Sequence, residues 1–247
     1  MSLFETQGVI IKTQDFKEND KLVWIFTEKS GKITTIAKGA KKAKSRHFSI
    51  TLPLCYGEYM MFRGKNLYSL SEGKIINSFQ GLLGNLEKLT YSSYLCELID
   101  ISLIDGESNP NLFKDFVTCL YLLNTDAIDY ELLVRSFELK LLKSTGYGLN
   151  LNNCANCGKK INTSSYISLA NYGGICGECT KEYSIRISTV AYNVLRFLNS
   201  SPMDKVHRVN VNTEIKDEIF KVTSSIFSSN YAKKPKSLEM LEYIKER

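Results

Sequence analysis

Two groups of residues in this chain have types and spacing that could do chemistry. The first is a cysteine quartet, Cys154-Ala155-Asn156-Cys157 and Cys176-Gly177-Glu178-Cys179, with 18 residues between the pairs. A Cys-x2-Cys knuckle aims two sulfurs at one point, and two knuckles at such a separation match a four-thiolate zinc site. Gly158 and Gly177 are expected to give the two turns their backbone freedom. Four protein ligands complete a tetrahedron and leave no place for water or substrate, so one structural Zn2+ ion is expected. The flanking residues are polar and carry no βαβ pattern, which speaks against redox pairs or buried structural thiols. The second group is Lys38-Gly-Ala-Lys-Lys-Ala-Lys-Ser-Arg46, which holds Lys38, Lys41, Lys42, Lys44 and Arg46 without an acid among them. Such a run is either a solvated loop or a grip on a polyanion. Its two alanines and one glycine give it little with which to bury itself.

No residue pattern in the chain assigns a catalytic residue. The two histidines, His47 and His207, lie in no metal or triad arrangement. Gly31-Lys32-Ile33-Thr34 resembles the end of a phosphate-binding loop. That motif needs Ser or Thr directly after the lysine and a glycine where this chain has Phe26, so it is rejected. No G-x-G-x-x-G or H-E-x-x-H occurs, and no pair of carboxylates stands out as an acid/base couple.

The charge distribution favours a polyanion partner. Residues 1–80 carry 13 Lys and Arg against 7 Asp and Glu, whereas residues 81–247 carry 19 of each. The whole excess of +6 therefore sits in the first third. No secretory signal pattern or membrane-length apolar run is visible, so a cytoplasmic chain with reduced cysteines and no membrane partner is expected.

The elements that must position these groups fall into two kinds. Residues 1–80 contain five short segments rich in β-branched and aromatic residues, punctuated by turns at Glu18-Asn19-Asp20, Ser30-Gly31 and Gly64-Lys65-Asn66. Five strands without an intervening helical period predict a small closed barrel, SH3-like or an OB-fold, of which the OB-fold is the commoner oligonucleotide binder. Trp24, between Val23 and Ile25, reads as core. From residue 81 the period becomes helical. Leu82, Leu86, Leu89, Cys96, Ile99 and Leu103 mark a first stripe, and Asn109-Pro110 opens a second helix before Phe113 and Phe116. Four further stripes begin near Tyr130, Val190, Ile215 and Leu238. The predicted architecture is multi-domain. An all-β OB-fold at 1–80 is followed by an all-α domain at 81–247, with the zinc module inserted at about 146–184. Cys55, Cys96 and Cys119 read as small core residues. The stretch SSIFSSNYAKKPKS reads as a loop around Pro235.

Aromatics and cations expected near the basic loop, on other strands, are Trp24, Tyr56, Tyr59, Phe62, Arg63, Lys65 and Tyr68, the last four about a Gly-containing turn. A barrel face mixing rings with cations suits single-stranded nucleic acid, because bases stack on rings while cations track phosphates. Alternative readings are a nucleic-acid enzyme with an unusual site, or an RNA-binding zinc-ribbon protein.

The run GVIIKTQDFKENDKLVWIFTEKSGKITTIAKGAKKAKSR resembles the N-terminus of the bacterial RecO recombination mediators. The likeness continues through FRGKNLYSLSEG, GYGLNLNNCANCG, GGICGEC and KPKSLEMLEYI, in order and over nearly the full length. It implies an N-terminal OB-fold and a helical domain with an inserted zinc module. It also implies binding of single- and double-stranded DNA, strand annealing, and loading of RecA together with RecR in recombinational DNA repair. The strands would be coated by single-strand-binding protein, whose C-terminal tail is a further implied partner, in a cytoplasmic, nucleoid-associated setting. The DNA-binding loop of the family matches Lys38, Lys41, Lys42, Lys44 and Arg46. Some members lack the cysteines, which makes the metal support and not mechanism.

Overall fold

A computed structural model describes residues 3–42, 44–64, 67–126 and 128–245, with backbone alone at 242 and 245. By contacts within the chain these form two compact units, Met1–Asn124 with Pro235–Arg247, and Thr125–Lys234.

The first unit begins with five strands, β1 (Leu3–Phe16), β2 (Asp20–Thr27), β3 (Gly31–Ala37), β4 (Tyr56–Arg63) and β5 (Tyr68–Asn77). They close into a barrel in the order β1-β2-β3-β5-β4, antiparallel throughout except for the parallel β3–β5 pair. This is the OB-fold predicted from the sequence. Closure depends on β1, which pairs through Leu3–Val9 with β4 and through Gly8–Phe16 with β2. A register shift between Ile10 and Lys12 bends the strand from one neighbour to the other. Ile10, Val23, Ile25, Ile33, Ala37, Tyr59, Met61 and Leu70 alternate inward and fill the barrel. Tyr59 remains buried because its hydroxyl donates to the Cys55 and Ile50 carbonyls.

Trp24 departs from its expected place. It pairs with Lys12 and Thr34 on the outer face of the barrel, between the inward Val23 and Ile25, and stays partly exposed. Pleat alternation decides the matter, since only one of two adjacent strand residues can face in. The Lys12 ammonium lies 4.9 Å from the Trp24 ring centroid.

Three helices complete this unit around the barrel: α2 (Leu86–Ser102), after a single turn α1 (Gln80–Leu83), then α3 (Pro110–Leu123) and, from the far end of the chain, α7 (Ser237–Lys245). Asn85 and Asn109 cap α2 and α3 by accepting from Lys88 N and Leu112 N, and Pro110 occupies the first turn of α3 as its sequence predicts. The single stripe expected for α2 holds at Cys96 and Ile99 but not at Leu86, and residues outside it are buried as well. Leu86 is 58% exposed, while Tyr91, Tyr94, Leu95, Leu98 and Ile99 are all buried. A helix packed against both β1 and α7 buries more than one face. The Glu97 carboxylate of α2 accepts from both Ser237 N (3.0 Å) and Ser237 Oγ (2.9 Å), capping α7 across the chain.

The barrel is fastened to these helices by aromatic and ionic contacts. Phe26 meets Phe113 and Phe116 edge-on at 5.5 and 5.7 Å. Lys32, only 8% exposed, donates to the Asp100 carbonyl at 2.6 Å and pairs with the carboxylates of Asp100 (3.6 Å) and Asp105 (3.2 Å). Gly31 is required beside it, since its φ is +61° and a Cβ would fall 1.9 Å from the Glu107 carbonyl oxygen.

The second unit holds α4 (Tyr130–Ser144), α5 (Thr189–Ser200) and α6 (Thr213–Asn230), with a small sheet of β6 (Tyr166–Ser168), β7 (Gly173–Gly174) and β8 (Ser184–Arg186). Lys140 donates to the carbonyls of Leu198, Asn199 and Ser201, which closes the C-terminal end of α5. The expected loop at SSIFSSN is the last part of α6. Ser225, Ser228 and Ser229 each donate back to the carbonyl four residues earlier, so the serines satisfy themselves on the helix and do not break it.

Replacing Lys32 with Ala is expected to lower the stability of the first unit by about 2 kcal/mol, because a buried cation with three partners is lost. Lys12→Ala, at a half-exposed pair with Asp100, should cost about 0.5 kcal/mol. Chemical denaturation followed by fluorescence of Trp24, the only tryptophan, measures both. Equal losses would show that burial does not set the difference.

Candidate nucleic-acid cleft and metal centre

In a barrel with this strand order, β3 and β4 both flank β5, so the connection Lys38–Cys55 must pass β5 on its way. The chain is held at several points along this path. Ala40 and Ile50, the latter in a single 3-10 turn at Ser49–Thr51, insert into the barrel core. Gly39 N donates to Asp20, and Lys41 N to the Asn19 carbonyl. The expectation that this stretch cannot bury itself is therefore corrected at Ala40, which is 0% exposed; His47, just past the run, is 6% exposed.

The anchored loop and the outer faces of β4 and β5 enclose a cleft of about 780 Å³, lined by Lys38, Gly39, Lys42, Lys44, Ser45, Arg46, His47, Phe62, Ser69, Leu70 and Ser71. Four of the five loop cations and Phe62 are thus brought together. Phe62 is 38% exposed and leaves a ring face available beside the cations. Among the described residues, no carboxylate lies within ion-pair distance of Lys38, Lys42 or Lys44. Arg46 pairs with Glu72 at 3.4 Å, but both side chains are largely exposed, so the pair is weak and readily exchanged.

The other candidates stand apart from the cleft lining. The Lys41 ammonium is 2.8 Å from Asp15 and holds that carboxyl below its ordinary range. Arg63 ends β4 in exposed position, opposite Tyr68 of β5. Tyr68 is half-buried and packs against Phe4 at 6.1 Å. Lys65 lies outside the described residues. His47, Ser69 and Ser71 were not read as site residues. The alternation of β5, which turns Ser69 and Ser71 outward around the buried Leu70, was the available signal for the serines.

The quartet converges in the second unit. The sulfurs of Cys154, Cys157, Cys176 and Cys179 all lie within 4.8 Å of one another. Cys154 Sγ is 3.8 Å from Cys179 Sγ, and Cys157 Sγ is 3.8 Å from Cys176 Sγ. A disulfide needs about 2.05 Å. Sulfurs about 2.3 Å from a central tetrahedral ion are about 3.8 Å apart, so the spacing fits a metal and not a bond. Burial pushes the Cys154 thiol up, but the backbone N–H groups of Cys176, Cys157 and Asn156 outweigh it and hold the group at about 6. These backbone donors thus stabilise a thiolate at Cys154, whereas side-chain contacts with Cys157 and Cys176 push the Cys179 thiol up to about 12. Gly158 takes φ +76° in the first knuckle as expected. Gly177 does not adopt the left-handed region, so the second turn does not need its glycine for that purpose. Lys159 and Glu178 pair across the two knuckles at 2.7 Å.

Replacing Cys154 or Cys179 with Ser is expected to reduce bound metal from about one ion per chain to none. Elemental analysis after dialysis measures it, and retention of a full equivalent would contradict the four-sulfur site.

Known proteins agree with this architecture. A family model described as recombination protein O N terminal matches residues 1–79, and one described as recombination protein O C terminal matches residues 83–239. The chain is 65% identical over 246 residues to the DNA repair protein RecO of Clostridium perfringens, covering 100% of both chains. It is 53% identical over 246 residues to that of Clostridium acetobutylicum, again covering 100% of both. The DNA repair protein RecO of Acetivibrio thermocellus is 30% identical over 245 residues, covering 98% of this chain and 97% of the relative. With both halves matched and the full length aligned, the chain belongs to the RecO family of DNA repair proteins.

Proposed function

We propose that this chain is a DNA-binding recombination mediator that anneals complementary strands and makes or breaks no covalent bond. The observation that carries the reading is the cleft on the OB-fold, where Lys38, Lys42, Lys44 and Arg46 face the same space as the Phe62 ring. Ammonium and guanidinium groups there neutralise phosphates of a single strand while a base stacks on Phe62. Neutralising two strands at once lowers their repulsion and lets pairing proceed. Arg63 and Tyr68, at the neighbouring end of β4 and β5, extend the contact along the strand. Lys41 assists after release from Asp15.

The family supports partners that lie beyond the site itself: RecR, the C-terminal tail of single-strand-binding protein, and RecA as the protein loaded. Double-stranded DNA is bound by the same cations. Residues 1–80 act as the DNA-binding domain, and residues 81–247 as the helical domain that carries the quartet. We take its ion to be Zn2+, since an all-sulfur tetrahedron suits zinc and leaves no open coordination position. The ion would fasten the two knuckles, and the chain's own residues supply the turns and the thiolate-stabilising N–H groups. Among the described residues, no helix is long and apolar enough to cross a membrane. We place the protein in the cytoplasm with the nucleoid.

The test is annealing of complementary strands coated by single-strand-binding protein, without nucleotide, together with affinity for an oligonucleotide across a salt series. Four phosphate contacts give a log–log salt slope of about −3. Changing Lys42, Lys44 and Arg46 together to Glu is expected to abolish binding and annealing without altering the fold, and Phe62→Ala to weaken binding by about 1–3 kcal/mol. Lys41→Ala alone should weaken it less than Lys42→Ala. Binding untouched by the triple change would remove the cleft from the mechanism. Metal-dependent strand cleavage, or a preference for RNA, would turn the reading to a nuclease or an RNA-binding zinc ribbon.

A further inference from the structure

His47 lines the cleft with every polar group engaged. Its backbone N–H donates to Ser45 Oγ at 3.1 Å, and its carbonyl accepts from Thr51 Oγ1 at 2.7 Å. The ring is the informative part. Nδ1 lies 3.0 Å from the Lys38 carbonyl oxygen, and Nε2 lies 3.0 Å from the Ser71 carbonyl oxygen. Both facing atoms are acceptors only. A neutral imidazole has a single N–H, so either tautomer would set a nitrogen lone pair against a carbonyl lone pair in a site from which water is largely excluded. The imidazolium carries two N–H groups at opposite ends of the ring, and it alone donates to both carbonyls.

We propose that His47 is a positioning residue held as an imidazolium, which pins the start of the basic loop to β5 and adds a fixed positive charge to the cleft floor. The proposal rests on the DNA-binding reading above and goes beyond it by assigning a residue whose proton holds the cleft together. The two carbonyls belong to separate segments, Lys38 at the head of the loop and Ser71 on β5. Joining them sets how far Lys38, Lys42, Lys44 and Arg46 stand from the Phe62 ring. The charged residues that line the cleft with it are Lys38, Lys42, Lys44 and Arg46, the last of which pairs with Glu72 of β5. A phosphate entering the cleft is attracted by the imidazolium, so strand binding and the His47 proton support each other.

The test has two parts. In the first, nitrogen-15 NMR of the DNA-free chain at neutral pH reads the protonation of each ring nitrogen, with His207 assigned by substitution. Two protonated nitrogens at His47 are expected. One nitrogen with the shift of a bare lone pair, or a ring turned so that its carbons face the carbonyls, would overturn the proposal. In the second part, affinity for a short oligonucleotide is followed from about pH 6 to about pH 9, a span in which the lysine and arginine side chains remain charged. Loss of the imidazolium as pH rises removes a charge and two donated bonds, so wild-type affinity should fall by about tenfold. His47→Gln keeps amide donors but no titrating ring, and its affinity should be lower at pH 6 and flat across the span. Parallel profiles for the two proteins would overturn the proposal. A wild-type chain that binds no DNA at any pH would strike the DNA-binding reading instead, and the nitrogen shifts would still decide the state of His47.

Discussion

Strand order is the constraint on which the rest of the first unit depends. Because β5 lies between β3 and β4, the chain cannot turn directly from β3 into β4. It must pass β5 through an 18-residue connection, Lys38–Cys55, and that connection holds all five cations of the run. The strand pairing that closes the barrel therefore also carries the positive charge to one place. Ala40 and Ile50 turn a long connection into an ordered one by anchoring it in the apolar interior. Cations on an anchored path act together on a phosphate chain, whereas the same cations on a free loop would lose conformational entropy on contact.

The helices around the barrel give this cleft a rigid support. Lys32 and Phe26 reach outward from β3 and β2 into α2, α3 and the turn between them, so the side of the barrel away from the solvent is not a free surface. The resemblance of Gly31-Lys32-Ile33-Thr34 to a phosphate-binding loop is resolved by the same contacts. Its lysine neutralises aspartates of the same unit and its glycine permits close approach to Glu107.

Much of this was legible in the sequence, for identifiable reasons. Strand count, turn residues, helix starts such as Asn109-Pro110 and the Cys-x2-Cys pairs are local signals, and each is written within a few residues. What was not legible depends on partners remote in sequence. Trp24 sits among apolar neighbours, and only the pairing register shows that it points outward. The stripe on α2 holds at Cys96 and Ile99 and fails at Leu86, because a helix buried on two sides has no single periodic face. Ser224 to Asn230 resemble a loop in composition, yet the serines close on their own helix. Within the candidate cleft the loop cations could be read directly. The role of His47 could not, because its partner Ser71 lies 24 residues away on another strand.

The carboxylate of Glu97 at the head of α7 carries a consequence for how the molecule is made. The first unit contains residues from before Asn124 and from after Pro235, with the whole second unit lying between them in the chain. During synthesis the barrel and its first helices emerge early, yet the surface of α2 that receives Leu238 and Leu241 stays uncovered until the entire cysteine-bearing stretch has been translated. Ribosome transit thus imposes a waiting period on the unit that forms first, during which its apolar flank stays open to solvent.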